Sequence, residues 1–174
     1  MISCRVCREI TSYPAPATSM QDIDLRDLVT AFHTKDDATR EALWRQLREH
    51  GERVMPLFAE LFPIAKWFQV RREIAFHAIR FARVSDDAFA IGRMAVEDKS
   101  SIVRYRGCCV LAYSLRPDAL PALEKLLGHP DPRTDDDVRA AIDAIRSRNH
   151  HYFVDRGHTG RSFWLVDGDG EGAG

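Results

Sequence analysis

Residues 95–111 read Ala95-Val-Glu-Asp-Lys-Ser-Ser-Ile-Val-Arg-Tyr-Arg-Gly-Cys-Cys-Val-Leu111. An acidic turn at Asp98 is followed by Ser100 and Ser101, which suit a helix start, and then by a Val-Arg pair that opens an apolar run at helical spacing. The same pair stands at Val70-Arg71 and Val138-Arg139, displaced from Val103-Arg104 by 33 residues (103 − 70) and 35 residues (138 − 103). A weaker copy begins at Thr39-Arg40, 31 residues before Val70. Self-similarity at this period predicts stacked helical pairs, each too small to bury its own apolar face alone.

Working outward, every copy has the same order. Leu25, Leu28, Val29 and Phe32 lie on one face of a first helix capped by Asp22, and Thr34 with Asp37 opens a second helix running to Gly51. Residues 52–63 and 67–83 form the next pair, the second of them carrying Val70, Ile74, Ala78 and Phe81. Ser85-Asp86-Asp87 opens a third pair whose second helix runs from Ser101 to about Leu115. Pro117-Asp118 opens a fourth, broken at His129-Pro130-Asp131-Pro132 and resumed from Asp135 to about Arg146.

Residues 95–111, together with Leu120-Pro-Ala-Leu-Glu-Lys-Leu-Leu-Gly-His-Pro-Asp-Pro132 and Val138-Arg-Ala-Ala-Ile142, resemble HEAT repeats: an early proline in the first helix, an acidic turn, then Val-Arg opening the second. The resemblance covers roughly residues 22–148. It implies an all-α fold, a short right-handed solenoid of about four helical pairs with the second helices lining the concave face. It also implies that the repeated arginine is structural and pairs with an acidic turn such as Asp98 or Asp131.

The organisation expected is a flexible leader over residues 1–20, with Met1 or Met20 as the start, a HEAT-like solenoid over 21–148, a C-terminal hairpin over 149–166 and a disordered tail over 167–174. The hairpin is read from the β-prone runs His151–Asp155 and Arg161–Val166 flanking Arg156-Gly-His-Thr-Gly160. Its aromatics Tyr152, Phe153, Phe163 and Trp164 are expected to cap the last helical pair.

The 174 residues carry 25 Lys+Arg against 26 Asp+Glu, a net charge of −1 that provides no chain-wide attraction to nucleic acid or anionic membrane. No apolar stretch is long enough to span a bilayer and residues 1–20 lack a secretory h-region, so a cytoplasmic monomer is expected. Cys4-x-x-Cys7 has the spacing of half a zinc site or of a redox pair, with no second CxxC or His pair to complete it and no βαβ pattern around it, and Cys108-Cys109 reads as small-residue helix packing. Asp167-Gly-Asp-Gly-Glu171 is too short of ligands for a calcium loop. His150, His151 and His158 near Asp155 read as surface residues. No catalytic, cofactor or metal site is expected.

A helical wheel counted from each Val-Arg valine puts positions 0, +4 and +8 in the core and +2, +3, +6 and +10 on display. The displayed set selects Arg45, Arg72, Phe76, Arg80, Tyr105, Arg106 and Tyr113 as partner-binding residues, the arginine and aromatic mixture enriched at protein-binding hot spots. The function expected is a non-catalytic protein-interaction module: an adaptor, a regulator or an immunity-type inhibitor. Two HEAT-like enzyme classes compete. A DNA-binding or alkylation-repair glycosylase would draw on Arg45, Arg48, Arg72, Arg104, Arg106, Trp44 and Trp67; nothing residue-specific points to a phycobilin lyase.

Overall fold

A computed structural model describes residues 20–166 of the chain, with side chains from residue 25 onward. The leader up to residue 19, Cys4-x-x-Cys7 and the tail 167–174 lie outside the described residues. The fold is all-helical: α1 (Met20–Phe32), α2 (Asp37–Leu47), α3 (Met55–Leu61), α4 (Phe68–Ala78), α5 (Asp86–Ala95), α6 (Ser101–Ser114), α7 (Leu120–Glu124) and α8 (Pro132–Arg146), joined by short 3₁₀ turns. None of these helices is long and apolar enough to cross a membrane.

The helix starts differ from expectation where a nearer capping residue competes. Asp36, rather than Thr34, caps α2 by accepting from the Thr39 amide. Asp131 caps α8 through the Arg133 amide and Pro132 occupies the first turn, so α8 begins three residues before Asp135. Asp22 falls within the first turn of α1. The helix expected to reach Gly51 ends at Leu47, because the chain passes into a 3₁₀ segment in which Gly51 adopts φ 60°.

In packing, α1 touches α2 and α3, α3 touches α5, α4 touches α5 and α6, and α6 touches α5 and α8. The first helices α1, α3 and α5 therefore contact in turn, as do the second helices α4, α6 and α8. One apolar cluster runs through all of them, with Val70, Ile74, Ala78, Val103, Leu111 and Val138 fully buried at the core positions of the wheel. The crossing of α5 with α6 depends on two glycines. A Cβ at Gly107 would come within 2.6 Å of the Val96 backbone nitrogen, and one at Gly92 within 2.6 Å of Val110. Cys108 and Cys109, next on α6, are both buried, and burial raises both thiol pKa values, that of Cys109 to about 12.

The repeated arginine is a fixture of the scaffold. Arg71 bonds both oxygens of Asp98 at 2.5 and 3.2 Å, and Arg104 bonds Asp131 at 2.9 Å, each reaching 27 residues ahead into the turn of the next pair. Each also donates to the carbonyl six residues behind it, Ala65 for Arg71 and Asp98 for Arg104, and Arg40 does the same with Thr34. The pattern frays at both ends. Position 67, which is 27 residues beyond Arg40, holds Trp67 and not a carboxylate, and Arg139 in the last pair turns back to Asp135.

The expected hairpin is not formed, and no strand occurs among the described residues. Asn149 accepts from the His151 amide, which turns His150–Phe153 into a 3₁₀ segment. The Asp155 carboxylate then gathers the Thr159 hydroxyl and the Gly160 amide at 2.8 and 2.7 Å, and these bonds hold its pKa below the ordinary value. Trp164, which a hairpin would pair with backbone, instead donates its N–H to His151 Nδ1 and has its carbonyl 3.1 Å from His150 Nε2. Residues 149–166 thus form a strap held by side chains. Its 3₁₀ segment packs on α8 and α6.

Candidate functional site

The second helices and the strap enclose two clefts on either side of one aromatic stack. Trp44 of α2 and His77 of α4 lie face to face, ring centroids 3.5 Å apart and planes 12° apart, and both residues line both clefts. His77 is only 9% exposed. Burial, with Arg80 and Arg106 nearby, lowers its pKa from 6.5 to about 3, so the imidazole is neutral at physiological pH.

The smaller cleft, ≈ 390 Å³, is bounded by Phe32, Asp37, Arg40, Glu41, Arg72 and Glu73. Its charges answer one another: Arg72 pairs with Glu73 at 2.6 Å, and Arg40 contacts Asp37. Little net charge is left for a ligand.

The larger cleft, ≈ 540 Å³, differs. Arg48, Arg80 and Arg106 line it with Phe76, Tyr105, Ile79 and Cys109 from the helices, and Val154, Trp164, Leu165 and Val166 from the strap. No Asp or Glu is among the described lining residues. Arg106 lies over the Phe76 ring at 4.6 Å and near the Tyr105 ring at 5.5 Å. Its Nε is buried without a hydrogen-bond partner, and among the described residues no carboxylate pairs with it or with Arg80. Arg48 has only Glu49 at 3.9 Å, with both side chains exposed. Phe76 is 45% exposed, a large apolar ring presented to water.

No protein-family model matches this chain, and neither does any curated protein or solved structure. What the site can do follows from its own geometry.

Of the seven residues picked from the wheel, Phe76, Arg80, Tyr105 and Arg106 meet at the larger cleft and Arg72 lies in the smaller one. Arg45 lines neither and pairs with Glu41 at 3.5 Å. Tyr113 is 4% exposed, packed edge-on to Trp164 and His150 with Arg83 4.0 Å over its ring, so it anchors the strap instead of being displayed. Cys109 and Ala144, both at +6, are buried too. A wheel treats one helix in water, whereas the strap lies over α6 and α8 and covers those positions.

His77 is not among the wheel's picks, although it sits seven residues after Val70, where roughly −20° of rotation returns to the core direction. That spacing is the available signal. The strap's contribution to the cleft has none, since it depends on where the strap folds back.

The gathered histidines resolve into separate partnerships. His150 and His151 hold Trp164, and His158 bonds Asp143 at 2.6 Å while stacking on Tyr152. Among the described residues no group of three or more His, Cys, Asp and Glu is placed to hold a metal ion.

Proposed function

We propose that this protein is a non-catalytic protein-interaction module, a short HEAT-like solenoid whose second helices present the larger cleft to a protein partner. Contacts of α4 with α6 and of α6 with α8 support the solenoid reading, as do the Arg71–Asp98 and Arg104–Asp131 links between successive pairs. The observation that carries the interaction reading is the cleft's composition. Arg80 and Arg106, which among the described residues have no carboxylate partner, and part-exposed aromatic rings converge there from α2, α4, α6 and the strap, the combination of groups from which interface hot spots are built.

Of the residues the glycosylase alternative draws on, Trp44, Arg48 and Arg106 line the larger cleft, while Arg104 and Trp67 do not. Arg104 is consumed by Asp131 and Thr134 in the scaffold, and Trp67 packs at a tilt against His33 under Lys35. Among the described residues no carboxylate that such chemistry would use lines the larger cleft. Use as an adaptor or as an immunity-type blocker fits the cleft equally, and a cytoplasmic setting suits both.

The test is partner capture from the native host by the wild-type chain and by a Phe76→Ala/Arg80→Ala variant. Both side chains are exposed, so the variant is expected to keep its helical circular dichroism and lose the captured protein. A folded double variant that captures the same protein equally well overturns the assignment.

A further inference from the structure

We infer that the strap carries an acid-operated latch: a proton on His151 releases Trp164 and opens the strap wall of the larger cleft. The latch rests on the strap's own hydrogen bonds and not on the interaction reading, though the cleft is the same.

The partners fix which nitrogens accept. The Trp164 backbone N–H can only donate, and its acceptor is His151 Nδ1 at 3.1 Å. Beside it, His150 Nδ1 lies 3.0 Å from Nη2 of Arg83, a guanidinium with no acceptor. That nitrogen therefore also offers a lone pair, and Nε2 of the same ring donates to the Trp164 carbonyl at 3.1 Å. Both rings are neutral in the closed strap. An imidazolium has no acceptor on either nitrogen, so turning the His151 ring does not restore its bond to Trp164. A proton on each ring would also bring two like charges together, at ring centroids 4.0 Å apart and beside Arg83.

The charged and titratable groups around His151 do not offset this. On the strap, the buried Asp155 carboxylate is turned to Thr159 and Gly160. From α8, Asp143 is bonded to His158 and Asp137 to Arg156, each at 2.6 Å. From α6 the Tyr113 ring meets His150 edge-on, and Arg83 reaches in from the turn between α4 and α5. Among the described residues no carboxylate is paired with His151. The closed strap thus binds fewer protons than the open one, and falling pH favours opening.

Acid has the opposite effect at the strap's other histidine. His158 faces Asp143 on α8, and protonation turns that contact into a charge-assisted pair. With Arg156 held by Asp137 and the turn held by Asp155, residues 149–160 stay on α8 while the segment carrying Trp164 and Leu165 leaves the cleft. Tyr113, 4% exposed against Trp164, would be uncovered.

The experiment follows the Trp164 backbone amide by NMR in the full chain between about pH 7.5 and 5.5, the range in which histidine changes charge. Its protection is the exchange rate of an unstructured peptide of the same sequence divided by its own. Protection is expected to fall at least ~3-fold as pH drops, reversibly, at the midpoint of the His151 ring's own titration and with unchanged helical circular dichroism. In His151→Asn the Oδ1 takes the place of Nδ1 and does not titrate, so protection is expected to vary by less than ~2-fold over the same range. Asp167→Asn removes the next carboxylate after Trp164 in the sequence, and the transition should persist in it.

Protection that stays level in the wild type overturns the inference, as does a fall that tracks the ring of His150 or His158 instead. An equal fall in His151→Asn overturns it too, and loss of the transition in Asp167→Asn moves the switch to the tail. If His151→Asn is already unprotected at about pH 7.5, the match of midpoints in the wild type decides. None of these readouts involves a partner, so the latch can fail with the interaction module standing, and the module can fail with the latch standing.

Discussion

Arg104 and Arg106 lie two residues apart on α6, and they belong to different parts of the molecule. Arg104 is spent on the seam between helical pairs, bonded to Asp131, Thr134 and the carbonyls of Asp98 and Lys99. Arg106 faces the cleft between aromatic rings with a nitrogen unbonded. The two side chains diverge by about 200° around the helix axis. One residue type thus serves as scaffold or as displayed group according to which side of a single helix it occupies. The difference lies in compensation: the seam supplies an acceptor for each guanidinium nitrogen of Arg104, and the cleft leaves the Arg106 Nε without one.

The largest break in that comparison is expected from Arg104→Ala. It strands Asp131, whose carboxyl is held below its ordinary pKa by Thr134, the Arg133 amide and Arg104, and it leaves two carbonyls without their donor. Removal of one member of such a part-buried pair should lower the unfolding free energy by about 3 kcal/mol. Urea denaturation measures it. A loss below about 1 kcal/mol would mean that the seam is as dispensable as a surface ion pair.

His77 sharpens the comparison from inside the cleft wall. Its native pKa of about 3 lies below the 6.5 of the unfolded chain, so between those values the unfolded state binds more protons. Stability should therefore decline as pH falls through that window, by up to about 1.4 kcal/mol per pH unit from this residue. Asp36, Asp131, Asp135 and Asp155, whose native pKa values lie below the ordinary 3.8 of an aspartate, add their own loss only as the pH nears that value. Denaturation midpoints at about pH 7, 6 and 5 should fall for the wild type and stay nearly level for His77→Phe. Parallel curves for the two proteins would place the imidazole in water.

Arg106→Gln should have the smallest effect on stability, about 0.5–1 kcal/mol, from loss of its contacts with Phe76 and Tyr105. Its consequence is for binding. If it destabilised the fold as much as Arg104→Ala does, the division between seam and display would collapse.

Much of the scaffold is legible in the sequence because its signals are local. Val70, Ile74 and Ala78 recur at the helical period and are all buried, and the acidic turns at Asp98 and Asp131 fall at the offset where the preceding pair's arginine reaches them. The strap departs from its expected hairpin for the opposite reason. Tyr152, Phe153, Phe163 and Trp164 have β propensity, but that preference reflects fit to a pleated surface and yields to tertiary context. Here Phe153 is buried beside Tyr105 and Trp164, while side-chain caps at Asn149 and Asp155 take the backbone bonds a hairpin needs. Tyr113 is buried by the same event, and no local pattern announces it, since the strap that covers it is remote in sequence.

By itself, then, the sequence determined the helical run of the chain up to Arg146, the buried stripes of α4 and α6, and the arginines Arg71 and Arg104 as parts of the scaffold. These follow from a 3.6-residue period and a fixed repeat, both carried by neighbours along the chain. Only the tertiary structure decided which displayed arginines stay without a carboxylate, that His77 stacks on Trp44, and that residues 149–166 fold back to wall a cleft. Those depend on contacts between segments far apart in sequence, where charge and burial are set by what folds over a residue and not by its own spacing.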